Sequence, residues 1–280
     1  MTGPPELDGV EHREVDAGGL RVHVAEAGRG DPMLLLHGWP QHWYEWRHVI
    51  PLLAGERRVI CPDLRGFGWT DAPDGRLDAE TFAADAVALL DALGLDRVDL
   101  VGHDWGGFSG FLLCLRHPER VRRFLALSTP HPFTRITPEV ALGSWRAWYT
   151  LPLAAGLVRH RPEYAGWFMA REGVPERDVA VFVERLREPA RARATARLYR
   201  SYQRSLLSVA RGGYRSLRLV TPTRLLFGER DLAVPRQALD GFAPHADDME
   251  LEILPGCGHF VVDLEPRLVA EHIRSFLGAW

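Results

Sequence analysis

Val98-Asp-Leu-Val-Gly-His-Asp-Trp-Gly-Gly107 is the stretch from which the fold follows. An apolar run ends in Gly102-x-Asp104-x-Gly106, and Gly107 to Arg116 continues with helical spacing. Strand, sharp turn and helix in that order present a nucleophile at the tip of a sheet strand, flanked by glycines because the turn leaves no room for side chains. Such a turn usually carries Ser, but position 104 is Asp. An Asp at this place could equally cap the following helix, so the rest of the chain must decide.

Working outward, Arg21 to Ala27 and the continuously apolar Met33 to Leu36 read as strands. Trp43 to Leu53 has helical spacing and Arg58 to Cys61 returns to strand. Asp78 is placed to cap a helix carrying Phe82, Val87, Leu89, Leu90 and Leu93, with Gly94 closing it. Arg97 to Val101 and Val121 to Leu127 are further strands. This alternation predicts a mostly parallel central sheet flanked by helices. From 133 to 216 helical stretches and loops replace the pattern, and strands resume at Pro222 to Gly228 and Glu250 to Leu254, followed by an amphipathic helix from Pro266 to Leu277. The expected organisation is one α/β domain formed by 1–132 and 217–280, with 133–216 inserted as a helical cap or lid.

Composition narrows the function. The 280 residues are 46% hydrophobic with 34 basic against 37 acidic side chains, a net charge of −3 that gathers no polyanions and disfavours nucleic acid. No apolar stretch approaches the roughly 20 residues needed to cross a bilayer, so no membrane association is expected. Cys61, Cys114 and Cys257 are scattered thiols and the first residues carry no signal-type apolar core, which together suggest the cytoplasm. All basic residues are Arg, so mechanisms built on a lysine Schiff base or a P-loop lysine are excluded. The arginines at 193, 197, 200 and 204 recur at helical spacing and read as a solvated helix face. The 12 histidines show no metal-ligand spacing, so neither a metal nor another cofactor is expected.

Three further segments converge on Asp104. The strand at Met33 to Leu36 runs into His37-Gly38-Trp39-Pro40, a turn that would bring the Trp39 backbone N–H beside the elbow, with the Trp105 backbone N–H as second donor of an oxyanion hole. Asp231 follows one late strand and His259-Phe260 the next. Nucleophile, acid and base in that chain order, each on a loop after a strand, form the arrangement of a hydrolytic triad. His103, beside the nucleophile, is expected to be a buried hydrogen-bonding support.

The sequence resembles the α/β-hydrolase-fold enzymes over nearly its whole length, and among them the epoxide hydrolases, relatives of the haloalkane dehalogenases. The resemblance rests on His37-Gly-Trp-Pro-Gln-His-Trp-Tyr-Glu-Trp-Arg-His-Val-Ile50, Pro62-Asp-Leu-Arg-Gly-Phe-Gly68, the Asp-bearing elbow and the Asp231 and His259 loops. In Pro62 to Gly68, Asp63 and Arg65 are expected to be structural.

An aspartate nucleophile selects the reaction. A serine attacking saturated carbon would leave an ether that activated water cannot readily cleave, whereas a carboxylate leaves an ester that His259, oriented by Asp231, can hydrolyse. Displacement at carbon is therefore expected, by epoxide opening or by carbon–halogen cleavage. The resemblance implies two cap tyrosines that protonate the opened epoxide. Among Tyr149, Tyr164, Tyr199, Tyr202 and Tyr214, the best matches are Tyr149 and Tyr199, with Tyr202 the competitor for the second position. The dehalogenase alternative would use the Trp105 indole. Against it, Trp39 stands where many dehalogenases carry Asn, and Trp105 and Phe108 stand where fluoroacetate dehalogenases carry Arg. His37, Trp39, Trp105, Trp148 and Phe260 are the expected substrate-binding residues, and the excess of tryptophans, including Trp43, Trp46 and Trp145, suggests an aromatic-walled pocket. The expected activity is conversion of a small apolar epoxide and water to a vicinal diol, by a monomer or homodimer. A receptor that keeps this scaffold without catalysis is the remote alternative.

Overall fold

The computed structural model describes residues 3–135, 137–233 and 235–278. Its centre is one sheet of β1 (Glu11–Ala17), β2 (Leu20–Ala27), β3 (Pro32–Leu36), β4 (Arg58–Pro62), β5 (Val98–His103), β6 (Val121–Leu127), β7 (Thr223–Gly228) and β8 (Met249–Leu254). The strands lie in the order β1-β2-β4-β3-β5-β6-β7-β8. Pairing is parallel from β4 through β8, while β1–β2 and β2–β4 are antiparallel. The expected mostly parallel α/β sheet is thus present, with an antiparallel edge. The sequence reading overlooked β1, because EHREVDA is an edge strand that exposes most of its side chains. Gly18 and Gly19, with φ of 66° and 86°, form the two-residue turn that joins it to β2.

Helices α1 (Ile50–Leu53), α2 (Ala79–Ala92), α3 (Asp104–Arg116), α9 (Val261–Leu264) and α10 (Pro266–Leu277) flank the sheet, and α4 (Pro138–Gly143), α5 (Thr150–Ala154), α6 (Glu163–Glu172), α7 (Glu176–Leu186) and α8 (Pro189–Ala210) lie between β6 and β7. The single helix expected from Trp43 to Leu53 is instead a 3₁₀ segment, Trp43–His48, followed by α1 with Pro51 in its first turn. Proline lacks the N–H an unbroken helix would need at that position. Asp78 caps α2 by accepting from the Thr81 N–H at 2.9 Å.

Strand β3 shows why the sheet is buried on both faces. Leu34 and Leu36 join a core with Phe82, Leu90 and Phe111, whereas Met33 and Leu35 join a second core on the opposite face. Trp43 and Trp46 are fully buried in that second core. They are therefore not pocket walls, and the aromatic-pocket expectation is corrected for these two.

Asp63 ties the loops below the sheet edge together: it pairs with His23 Nδ1 at 2.7 Å and accepts from the N–H groups of Trp43 and Trp69, both at 2.8 Å. Arg65 pairs with Asp85 on α2. The helices between β6 and β7 are fastened to the sheet body by arginines. Arg47 bridges Asp178 of α7 at 2.9 Å and Asp263 at 2.6 Å, Arg185 donates to the Gly68 carbonyl at 2.8 Å, and Arg191 donates to the Thr70 carbonyl. On α8, Arg193, Arg200 and Arg204 are exposed and Arg197 is half-buried. Among the described residues, no helix is long and apolar enough to cross a membrane.

Candidate active site

β5 ends at His103 and α3 begins at Asp104, whose φ of 48° lies in the left-handed region. The backbone there is held by close packing: a Cβ on Gly106 would stand 2.2 Å from the Leu36 carbonyl oxygen of β3. Glycine at that position lets α3 start directly against β3, which forces the elbow and projects Asp104 from it.

The Trp39 backbone N–H donates to Oδ2 of Asp104 at 2.9 Å, and the adjacent Trp105 backbone N–H favours the charged form of the same carboxylate. These are the two donors expected from the sequence. Burial pushes the Asp104 carboxyl above the usual carboxylate range, opposed by His259, His103 and the two backbone donors.

His259 stands on the loop after β8 with Nε2 4.0 Å from Oδ1 of Asp104. Its Nδ1 is 2.9 Å from Oδ2 of Asp231, which follows β7, and Asp231 Oδ1 accepts from the Ala233 N–H at 2.8 Å. The structure thus brings Asp104, Asp231 and His259 into one contiguous group. Burial works against a charged imidazole, but Asp231, Asp104 and Glu172 outweigh it and lift His259 to about 10. The resting group is an imidazolium between carboxylates.

His103 is fully buried and donates from Nε2 to the His259 carbonyl at 2.9 Å, with Nδ1 3.3 Å from Oε1 of Glu45. Glu45, also buried, accepts from the Gly38 N–H at 3.1 Å. Elbow, base loop and Trp39 turn are therefore tied together beneath the reacting atoms.

A cavity of about 380 Å³ opens above Asp104 and His259, and Trp39, Trp148, Tyr149, Tyr199 and Phe260 stand in its wall. Tyr199 is buried and Tyr149 partly so, and burial, with Asp104 nearby, pushes both hydroxyls far up, so both remain protonated donors. Tyr202 is not a wall residue. Its ring packs on Trp105 at 6.1 Å.

Two expectations for substrate-binding residues need correction. His37 is not in the wall: its Nε2 accepts from the Leu64 N–H at 2.8 Å and its Nδ1–H donates to the Gly38 carbonyl at 2.9 Å, so the ring braces the turn. Trp105 is also absent from the wall. Its side chain packs edge-on against Tyr199 and Tyr202.

Trp145 from the expected aromatic wall also lines the cavity, and wall residues that the sequence did not disclose include Trp167, Phe168, Arg171, Glu172 and Arg230. Trp167 was visible only as part of the tryptophan excess, and the others had no signal beyond lying on an amphipathic helix or beside Asp231. No group of three or more His, Cys, Asp or Glu side chains suited to a metal occurs among the described residues.

An eight-stranded sheet with a carboxylate on the β5–α3 elbow, and His and Asp on the loops after β8 and β7, defines the scaffold of an α/β hydrolase. The family profile for the α/β hydrolase fold matches residues 31–266, and the chain belongs to that family. A stretch of 118 residues is 45% identical to "Soluble epoxide hydrolase" of Corynebacterium sp. (strain C12), covering 42% of this chain and 41% of that relative. "Fluoroacetate dehalogenase" of Burkholderia sp is 31% identical over 97% of this chain and 95% of its own length. The solved structure "Epoxide hydrolase CorEH without ligand" superposes with a TM-score of 0.83 at 29% identity, covering 96% of this chain and 98% of that one.

Proposed function

We propose that the protein is an epoxide hydrolase, with 133–216 as the cap over its active site. Oδ1 of Asp104 attacks an epoxide carbon, the ring C–O bond breaks, and the departing oxygen takes a proton from Tyr149 or Tyr199. The product is an ester between Asp104 and the substrate. Its formation removes the Asp104 charge that helped hold the proton on His259, so the imidazolium can return that proton to the tyrosinate through the cavity water and become a base. His259 then takes a proton from water, the hydroxide adds to the Asp104 carbonyl carbon, and the oxyanion forms at the position that Trp39 and Trp105 already serve. Collapse releases the diol, whose alkoxide is protonated by the imidazolium, and leaves an Asp104 carboxyl that carries one water oxygen and returns its proton to His259.

The observation that carries this reading over halide displacement is the pair of tyrosines, Tyr149 and Tyr199, standing in the same cavity wall as Asp104. Both hydroxyls stay protonated beside the nucleophile, whereas the Trp105 indole that would stabilise a leaving halide packs edge-on against Tyr199 and Tyr202 outside that wall. The dehalogenase alternative draws support from the full-length similarity to a fluoroacetate dehalogenase. Incubation with styrene oxide and with a 1-haloalkane separates the two: diol release is expected, and halide release without diol would reverse the assignment. The three cysteines are free and buried, in keeping with a reducing compartment such as the cytoplasm.

A further inference from the structure

Glu172, the last residue of α6, lies in the cavity wall beside His259 although nothing in the proposed chemistry employs it. Its Oε2 accepts from two consecutive backbone N–H groups, that of His259 at 2.6 Å and that of Phe260 at 3.2 Å. Gly258 makes room for this: a Cβ there would stand 2.3 Å from the same oxygen. The backbone of His259 is thereby held at both ends, its N–H by Glu172 and its carbonyl by His103, while Asp231 holds the ring.

The position is a poor one for a carboxylate on local grounds. A negative charge at a helix C-terminus opposes the helix dipole. Burial and the proximity of Asp231 add to the cost, while His259 and the two backbone donors offset it. A local rule broken beside reacting groups points to a role in the site.

We infer that Glu172 is a positioning residue for His259, supplied by the cap helices, that fixes the base loop and favours the imidazolium formed as water is activated. The inference rests on the proposed ester mechanism and concerns only its second half. Charged groups face His259 from every neighbouring element: Asp231 after β7, Asp104 and His103 at the elbow, and Glu172 on α6. Glu172 is the one of these that enters from the cap segment. A cap seated correctly therefore completes the base.

The test uses single turnover of the full chain with styrene oxide, following the Asp104 adduct by mass and diol release across pH. Glu172→Gln keeps an acceptor but loses the charge, and Glu172→Ala loses both. Ester formation is expected at the parent's rate in both, whereas ester hydrolysis slows by about tenfold in the Ala variant and by less in the Gln variant. In Glu172→Gln the acid limb of the hydrolysis step moves to lower pH, because a weaker negative environment releases the His259 proton more readily. Gly258→Ala, by displacing the carboxylate, should slow the same step and add nothing to Glu172→Ala. An unchanged hydrolysis rate and pH limb in Glu172→Gln, or equal slowing of both half-reactions, overturns the inference. Failure of the ester mechanism has a different signature, which is the absence of any Asp104 adduct in His259→Gln.

Discussion

Oδ2 of Asp104 is held by the Trp39 N–H at 2.9 Å while Oδ1 of the same carboxylate faces the His259 ring at 4.0 Å. The two oxygens have different surroundings before any substrate arrives. In the proposed mechanism, one sits where the oxyanion forms and the other is the attacking atom. His259 is too far from Oδ1 for a direct hydrogen bond, which leaves room for the reacting groups to enter between them.

This division of labour predicts that His259→Gln accumulates the ester, since only its hydrolysis needs the base. Mass analysis of the Asp104 peptide after exposure to styrene oxide should show the adduct, and Asp104→Asn should show neither adduct nor diol until it deamidates. In the parent, single turnover in ¹⁸O-water should leave label in Asp104. Diol formation with unlabelled Asp104 would mean that water attacks the epoxide directly.

The cavity wall separates the tyrosines. Tyr149→Phe and Tyr199→Phe should each slow ester formation by about a hundredfold, as expected for loss of a proton donor to the leaving oxygen, and should leave ester hydrolysis comparatively intact. Tyr202→Phe should be near neutral, because Tyr202 packs on Trp105 outside the wall. Pre-steady-state adduct formation distinguishes the three variants. A larger loss from Tyr202→Phe than from Tyr199→Phe would exchange their roles.

Much of the site could be read along the chain because each part sits where an apolar strand stops. Asp104, Asp231 and His259 follow β5, β7 and β8, and a strand end is a local signal. Orientation was not local. His37 and Trp105 adjoin the right turns, but their side chains are taken up by Leu64, Gly38 and Tyr199, partners fixed only by folding. Trp43 and Trp46 stand within the motif and turn to the core beneath the sheet. Glu172 was illegible for the same reason, since it meets a loop 87 residues further along the chain. Strand β1 escaped notice because an edge strand with one neighbour needs little apolar alternation.

The elevated His259 pKa has a consequence for stability. A group raised from 6.5 to about 10 on folding stabilises the folded state fully below 6.5, and this contribution is lost as pH rises through 10. Burial of the charged ring reduces the gain, and Asp231, Asp104 and Glu172 supply it. His259→Gln should therefore be less stable than the parent at the acid end of that window, with the gap closing towards the alkaline end. Urea unfolding of both proteins across the window measures this difference. A gap independent of pH would mean that the imidazolium is not what the three carboxylates stabilise.

Arg47 provides the sharpest test of how the helices between β6 and β7, the proposed cap, are attached. It lies in the same His37 to Ile50 motif as Trp39, yet it is buried with its guanidinium between Asp263 at 2.6 Å and Asp178 of α7 at 2.9 Å. Burial lifts the Asp263 carboxyl to about 6 despite Arg47 and Gln41, so this acid is already strained towards its neutral form. Removing the cation leaves two buried carboxylates facing each other, and Arg47→Met should cost about 3 to 5 kcal/mol, the range for breaking a buried pair at one partner. Asp178→Asn removes only the link to α7 and keeps Arg47 paired with Asp263. It should cost less in global stability and act mainly on the cap, as faster hydrogen exchange in α6 and α7 with the sheet core unchanged. Equal and uniform loss from both variants would show that Arg47 holds the sheet body alone, and that the cap is retained by the Arg185 and Arg191 contacts instead.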